Sequence, residues 1–152
     1  MEIRDLTKEA VLISEDATFR DAIALMVKKQ TNSLLVVGTN GVLSGEVNVS
    51  DLLDAIVPTN LDGDHVTKRL GTEELFEMAV KDAEGKEVRD FMNTDFQSVY
   101  VDDSLITIAG IAIAHQTGHI PIVDHDERPI GVISRRGLKH ILAKYLNIRD
   151  NH

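Results

Sequence analysis

The sequence predicts an α/β (α+β) fold built from two copies of one β-α-β-β-α unit. Three observations lead there. A shift of 86 positions lays Asp16 on Asp102, Gln30-Thr31 on Gln116-Thr117, Val37 on Val123, Gly45 on Gly131 and Leu52 on Leu138, with no gap between residues 12 and 56. In each copy the apolar spacing passes from strand-like runs to helical three- and four-residue steps and back, in the same order. A copy of about 55 residues buries little surface alone, so the two are expected to share a core.

The elements follow in order. VLIS at residues 11–14 and SVYV at 98–101 read as first strands; an acidic residue follows, then Thr18 or Ser104, either of which can cap a helix. In the helix of copy one, Phe19, Ala22, Ile23, Met26 and Val27 share a face. Leu105, Ile108, Ala109, Ala112 and Ile113 hold the matching places in copy two, whose helix is apolar nearly all round and is expected to lie deeper. Gly110 in that helix admits a close helix contact.

SLLVV (33–37) and VLSGEVNV (42–49) flank Asn40-Gly41, a hairpin signal because both residues tolerate positive φ. Copy two has HIPIV, the turn DHDERP and IGVIS. Each copy closes with an amphipathic helix, SDLLDAIV ending at Pro58 or RRGLKHILAKYL. Residues 57–87 stand outside the repeat. VPTNLDGDHVTKRLG is polar and turn-rich, whereas TEELFEMAVKDAEG reads as a helix capped by Thr72 and stopped near Gly85. Leu75, Phe76, Met78 and Ala79 are expected to pack on the body, and the segment to take part in dimer contacts.

Composition excludes several partners. The net charge is −9, Lys and Arg form no long cluster, and there is no Trp. Nucleic acid is therefore not expected, since it calls for a basic patch and stacking platforms. With no cysteine there is no disulfide, thiolate metal site or cysteine nucleophile. No run of about 18 apolar residues occurs and the N-terminus carries both charges, so neither a membrane span nor a signal peptide is expected, and the location is expected to be cytoplasmic.

Lead-in segments complete the repeat: IRDL (3–6) echoes VRDF (88–91). Copy two reads VRDFMNTDFQSVYVDDSL, GHIPIVD and GVIS; copy one reads IRDL, DATFRDAIALM, SLLVV and GEVNVSDL. In this ordered set the chain resembles a tandem pair of CBS domains, a Bateman module, over roughly residues 1–56 and 88–145. The resemblance implies two pseudo-twofold-related CBS units packed as one Bateman module with clefts between them, usually assembled as a disc-shaped homodimer. CBS unit 1 would span 1–56, a linker with a helix 57–87, CBS unit 2 88–146, and a C-terminal tail 147–152. It also implies a free-standing regulatory module that senses AMP, ADP, ATP or S-adenosylmethionine in the inter-repeat cleft and modulates a partner protein.

The junctions GEVNVSDL (45–52) and GVISRRGL (131–138) differ where the family places its ribose contact. A carboxylate in a helix's first turn is stabilised by the exposed N–H groups there, and it can accept hydrogen bonds from two adjacent ribose hydroxyls. Asp51 fits that role, with Asn48 where the family has Thr or Ser, and Ser50 able to donate to a phosphate. The competing reading is that Ser50 or Asp51 simply caps the helix. In copy two Gly137 replaces the Asp and Ser134 keeps a hydroxyl. Arg135 and Arg136 are either phosphate donors or a solvated helix start. One competent ribose pocket is expected at Asp51, and a degenerate one near Gly137.

By resemblance the walls are Ser33, Leu34 and Leu35 in copy one and His119, Ile120 and Pro121 in copy two, with Thr94, Asp95 and Phe96 in the second lead-in. Gly118 and His119 stand where many members carry basic residues, which favours AMP or S-adenosylmethionine over a triphosphate. His115 and His119 are spaced as a helical metal pair, but Gly118 is expected to end the helix and no third ligand is evident, so no metal and no obligatory cofactor are expected. No nucleophile–base pair, phosphate loop or carboxylate dyad has catalytic spacing, so an enzyme is not expected. The competing function is a dimeric protein-interaction scaffold with vestigial nucleotide sites.

Overall fold

The computed structural model describes residues 6–57, 72–115 and 119–149. Expectations for residues 3–5, Pro58, the turn-rich stretch through Gly71, the Thr72 cap, the His115 side chain, the Gly118 helix stop and residues 150–152 lie outside that description. The elements run β1 (Leu12–Ser14), α1 (Phe19–Lys29), β2 (Ser33–Val37), β3 (Leu43–Asn48), α2 (Val49–Ile56), α3 (Thr72–Ala83) and α4 (Val88–Phe91). Then come β4 (Val99–Tyr100), α5 (Leu105–His115), β5 (His119–Val123), β6 (Pro129–Ser134) and α6 (Arg135–Tyr145).

Two three-stranded sheets form, β1-β2-β3 and β4-β5-β6. In each, the first strand runs parallel to the second, Leu12 beside Leu35 and Val99 beside Ile122. A parallel pair needs a crossover, which α1 and α5 supply. β5 and β6 are antiparallel, with His119 opposite Ser134.

Local chemistry sets the element ends. Thr18 Oγ1 accepts from Asp21 N at 3.1 Å while Asp21 Oδ2 accepts from Thr18 N at 3.0 Å, a reciprocal cap that starts α1. Ser104 Oγ accepts from Thr107 N at 3.2 Å and starts α5. Asn40 and Gly41 hold φ of 69° and 76°, as the hairpin signal requires.

Strand alternation sorts the side chains. Ile13, Leu34, Val36 and Val47 pack with Phe19, Ala22, Met26 and Leu52 in one core. Val99, Ile120, Ile122 and Ile133 pack with Ile108, Leu105, Ile111 and Leu138 in the other. The opposite face of each sheet therefore carries Ser33, Leu35, Glu46 and Asn48, or His119, Pro121, Val132 and Ser134.

Three packing expectations need correction. α5 does not lie deep on all sides: Ile108 is buried, but Ile106 and Ile113 are 80% and 77% exposed. Val27 on α1 is exposed too. A three-stranded sheet covers a narrow strip of a helix, and Val27 and Ile113 fall just past its edge. On α3, Ala83 is buried and Ala79 and Val80 pack on the core, whereas Phe76 and Met78 face solvent. The small residues let α3 approach closely, and the larger ones are turned outward.

Contacts divide the chain into two compact units. The first joins residues 11–38 and 44–94; the second joins, among the described residues, 6–10, 39–43 and 95–149. Each lead-in is thus built into the unit that holds the other copy's sheet. In the first unit, Val88 N donates to Ala17 O at 2.8 Å, and the Arg89 guanidinium meets Glu15, Asp16 and Glu87. Phe91 meets Phe19 edge-on at 5.7 Å. Asn93 pairs antiparallel with Glu46 in the first unit, and Lys8 with Val132 in the second.

This pairing explains the two conserved-in-repeat glycines. A Cβ on Gly131 would strike the Thr7 methyl and stand 2.7 Å from Lys8 O; one on Gly45 would meet Met92 Sδ at 2.8 Å and Asn93 O at 3.1 Å. Among the described residues no helix is long and apolar enough to cross a membrane.

Candidate functional site

In the first unit the site grows from the β3–α2 junction. Asn48 is extended, with φ −109° and ψ 167°, and α2 begins at the next residue. Asp51 is therefore the third helical residue, and its Oδ2 accepts from Asn48 N at 2.7 Å. Helix capping by Asp51 is a fact of this structure. It also fixes the carboxylate, because one oxygen is anchored and the side chain is half-buried. Ser50 is exposed beside it.

Glu46 joins this junction, although the linear motif did not single it out. This carboxylate is 8% exposed on the same sheet face as Asn48, and the Asn48 side chain is its hydrogen-bond partner. Burial raises the Glu46 carboxyl above its ordinary value; the bond from Asn48 opposes this, and the Asp51 charge adds to it. Asp51 is likewise raised, first by burial and then by Asp54, with the Asn48 N–H acting the other way. A signal existed in the sequence. Glu46 interrupts an apolar strand, and its partner 86 positions later is Val132.

Asp51 also reaches the wall of a cavity of about 840 Å³ between α2, α3 and α4. Asp54, Asp82 and Asp90 line it as well, with Lys86 the basic residue among its lining side chains. Lys86 Nζ donates to Ala55 O at 3.0 Å. The volume suits a small organic ligand, and the field is acidic.

In the second unit the matching positions carry the opposite polarity. Ser134 Oγ accepts from Gly137 N at 3.1 Å and caps α6. His119 sits directly across from Ser134, half-buried, and its imidazole is held below its ordinary value by burial and then by the Lys8 ammonium. Lys8, a cation brought there by the exchanged lead-in, was not visible in the linear motif. Arg135 and Arg136 are exposed; Arg136 Nε lies 3.5 Å from His140 Nε2, along α6.

The residues expected as walls divide by strand parity. Ser33 and Leu35 share the face of Glu46 and Asn48, whereas Leu34 lies in the core under α1. His119 and Pro121 share the face of Ser134, whereas Ile120 lies in the core under α5. Leu34 and Ile120 can therefore contribute backbone but no side-chain surface. Thr94 falls in the first unit with Asp51, beside the Asn93–Glu46 bridge; Asp95 and Phe96 fall in the second. Among the described residues no three His, Asp or Glu side chains gather as metal ligands.

The family model for the CBS domain matches residues 3–58 and 88–144. The chain belongs to the CBS domain family. An uncharacterized protein of Methanocaldococcus jannaschii is 26% identical over 150 residues, covering 91% of this chain and 89% of its own. Among solved structures, a CBS domain-containing protein of Kribbella flavida matches with a TM-score of 0.77 at 20% identity, covering 94% of this chain and 99% of that one. The CBS-pair protein CBSX2 of Arabidopsis thaliana, in its complex with AMP, matches with a TM-score of 0.69 at 20% identity, covering 95% and 98%. These likenesses show the fold, a tandem CBS pair. The duplicated junctions are thus its two CBS repeats, of which one keeps the carboxylate.

Proposed function

We propose that this CBS pair is a regulatory sensor that binds an adenosine-containing ligand (AMP, ADP, ATP or S-adenosylmethionine) with its ribose on Asp51, and that occupancy modulates a partner protein. The working form is a cytoplasmic homodimer that binds without turnover. The observation that carries this reading is the anchored, half-buried Asp51 carboxylate at the start of α2. The AMP complex of CBSX2 supports the ligand class. Asp54, Asp82 and Asp90 around the same cavity oppose added phosphate charge, so the field ranks AMP above ATP and most favours the sulfonium-bearing S-adenosylmethionine. To switch anything, the ligand must bind one arrangement of the protein better than another.

A scaffold with vestigial sites is the second reading, favoured by Gly137 and by the engagement of Asp51 in capping its own helix. Isothermal titration of the full chain with the four ligands separates the two. Saturable binding of any of them supports the sensor, with S-adenosylmethionine and AMP ahead of ATP. A folded chain that binds none supports the scaffold.

A further inference from the structure

Glu46 is a carboxylate inside an otherwise apolar strand, and its position limits what it can do. It is 8% exposed, on the face of β3 turned away from the core, two residues before Asn48. Its main chain is fixed by Asn93: Glu46 N donates to Asn93 O at 3.0 Å and Asn93 N donates to Glu46 O at 2.8 Å. Burial keeps the carboxylate from touching a ligand, so it acts through its hydrogen-bond partner, the Asn48 side chain. Among the described residues no cation offsets it. Neither β2 (SLLVV) nor the lead-in residues Met92, Asn93 and Thr94 carry a charged side chain, and Asp51 is the charged group whose field reaches it.

Asn48 is half-buried and stands between two carboxylates. Its main-chain N–H donates to Asp51 Oδ2 at 2.7 Å, and its amide meets Glu46. An amide has two unlike ends, an accepting oxygen and a donating NH2. An ionised carboxylate only accepts, so Glu46 takes the NH2 and leaves the Asn48 oxygen for the site. A protonated Glu46 donates and takes the oxygen instead, turning the amide over. The repeat supplies a control, because copy two has Val132 for Glu46 and Ser134 for Asn48. A hydroxyl turns freely between donor and acceptor and needs no neighbour to orient it. The two positions differ together: the amide comes with a carboxylate, the hydroxyl with a valine.

We propose that Glu46 is a positioning residue that fixes the Asn48 amide with its oxygen beside the second Asp51 oxygen, an acceptor pair that selects a ribose over a deoxyribose. Two acceptors call for two hydroxyl donors, and a sugar lacking one leaves a half-buried acceptor unpaired. The inference rests on the adenosine-ligand reading above and deepens it, since it assigns the sugar preference to a residue that never touches the sugar.

The test is calorimetric titration of the full chain with AMP and 2′-deoxy-AMP, on wild type, Glu46→Gln and Glu46→Val, each checked for its fold by circular dichroism. Glutamine keeps the shape but offers Asn48 either end of its own amide, and valine restores the copy-two residue. Wild type should prefer AMP by about tenfold or more, and both variants should narrow that preference to about threefold or less. A preference that survives in both folded variants, affinity for the two nucleotides falling alike, marks a merely structural role and overturns the inference. NMR of the free chain separates this inference from the reading beneath it. The Asn48 side-chain amide signals should shift with the titration of the Glu46 carboxyl, and that shift should be lost in Glu46→Gln. An amide that ignores the Glu46 titration overturns the positioning. An amide that follows it, in a chain that binds neither nucleotide, overturns the adenosine-ligand reading and the sugar selection with it.

Discussion

Replacing Gly131 by alanine should unfold the protein far more readily than replacing Gly45, although the two occupy the same place in the repeat. At Gly131 the new Cβ would strike the Thr7 methyl and stand 2.7 Å from Lys8 O. Moving the Thr7 side chain alone does not relieve the contact: Lys8 O accepts from Val132 N at 3.0 Å and Lys8 N donates to Val132 O at 2.8 Å, so its backbone is held. Relief requires the lead-in to retreat by about 0.7 Å, weakening both bonds.

Overpacking of this kind costs about 1–3 kcal/mol and a weakened backbone hydrogen bond up to about 1 kcal/mol, offset by about 0.5 kcal/mol from the stiffer unfolded chain. The expected loss is about 2–3 kcal/mol. At Gly45 the nearest atom is Met92 Sδ at 2.8 Å, the far part of a flexible thioether; Asn93 is held to Glu46 by a like pair of backbone bonds, but its O stands at 3.1 Å and need yield by only about 0.3 Å. There the loss should stay below about 1 kcal/mol. Urea unfolding followed by circular dichroism reads the difference as a midpoint gap of roughly 1 M, with a slope of about 2 kcal/mol/M. Equal losses, or a Gly131→Ala variant within about 0.5 kcal/mol of wild type, would refute the close pairing of the first lead-in with β6.

Further expectations follow from the same geometry. Gly137→Asp is sterically admissible, since the new Cβ meets nothing nearer than Leu6 O at 3.5 Å; it should stabilise α6 by about 1 kcal/mol, raise Tm by about 2–4 °C and double the ligand stoichiometry. A destabilised variant in thermal melts would contradict this. The Glu46 carboxyl is raised in the folded state, so its ionisation costs stability as pH rises from the ordinary carboxylate range through the raised value. Glu46→Gln should match wild type in acid and exceed it by on the order of 1 kcal/mol at neutral pH, read as the difference between the two urea curves at each pH. A constant difference would count against a titrating Glu46. Because Asp51 is also raised, ligand affinity should fall on acidification at a higher pH than for an ordinary aspartate, checked by titration calorimetry across mildly acidic pH.

Repeat, element order and caps were legible because they rest on short-range patterns: the period shift at Thr18 and Ser104, Asn40-Gly41, and the apolar alternation of SLLVV and HIPIV. Residues whose surroundings come from elsewhere in the chain were not. Nothing local shows that Lys8 belongs beside His119, or that Asn93 belongs beside Glu46, because exchange of the lead-ins joins positions more than a hundred or about fifty residues apart. Helical spacing placed Val27 and Ile113 on apolar stripes but could not say how wide a strip the sheet covers, nor that the linker helix meets its core through Ala79, Val80 and Ala83 and leaves Phe76 outside. Leu34 and Ile120 were expected as walls from the whole motif, whereas strand parity turns their side chains into the two cores and places Ser33, Leu35, His119 and Pro121 on the opposite sheet faces.

One ribose-binding carboxylate per chain is the central claim, and a calorimetric titration with S-adenosylmethionine and AMP on wild type, Asp51→Ala and Gly137→Ala tests it directly. The predicted result is one ligand per chain, lost in Asp51→Ala by a factor of about a hundred or more in affinity and unchanged in Gly137→Ala, the size of a lost pair of charge-assisted hydrogen bonds. Two ligands per chain, or full binding by a folded Asp51→Ala variant, would contradict it.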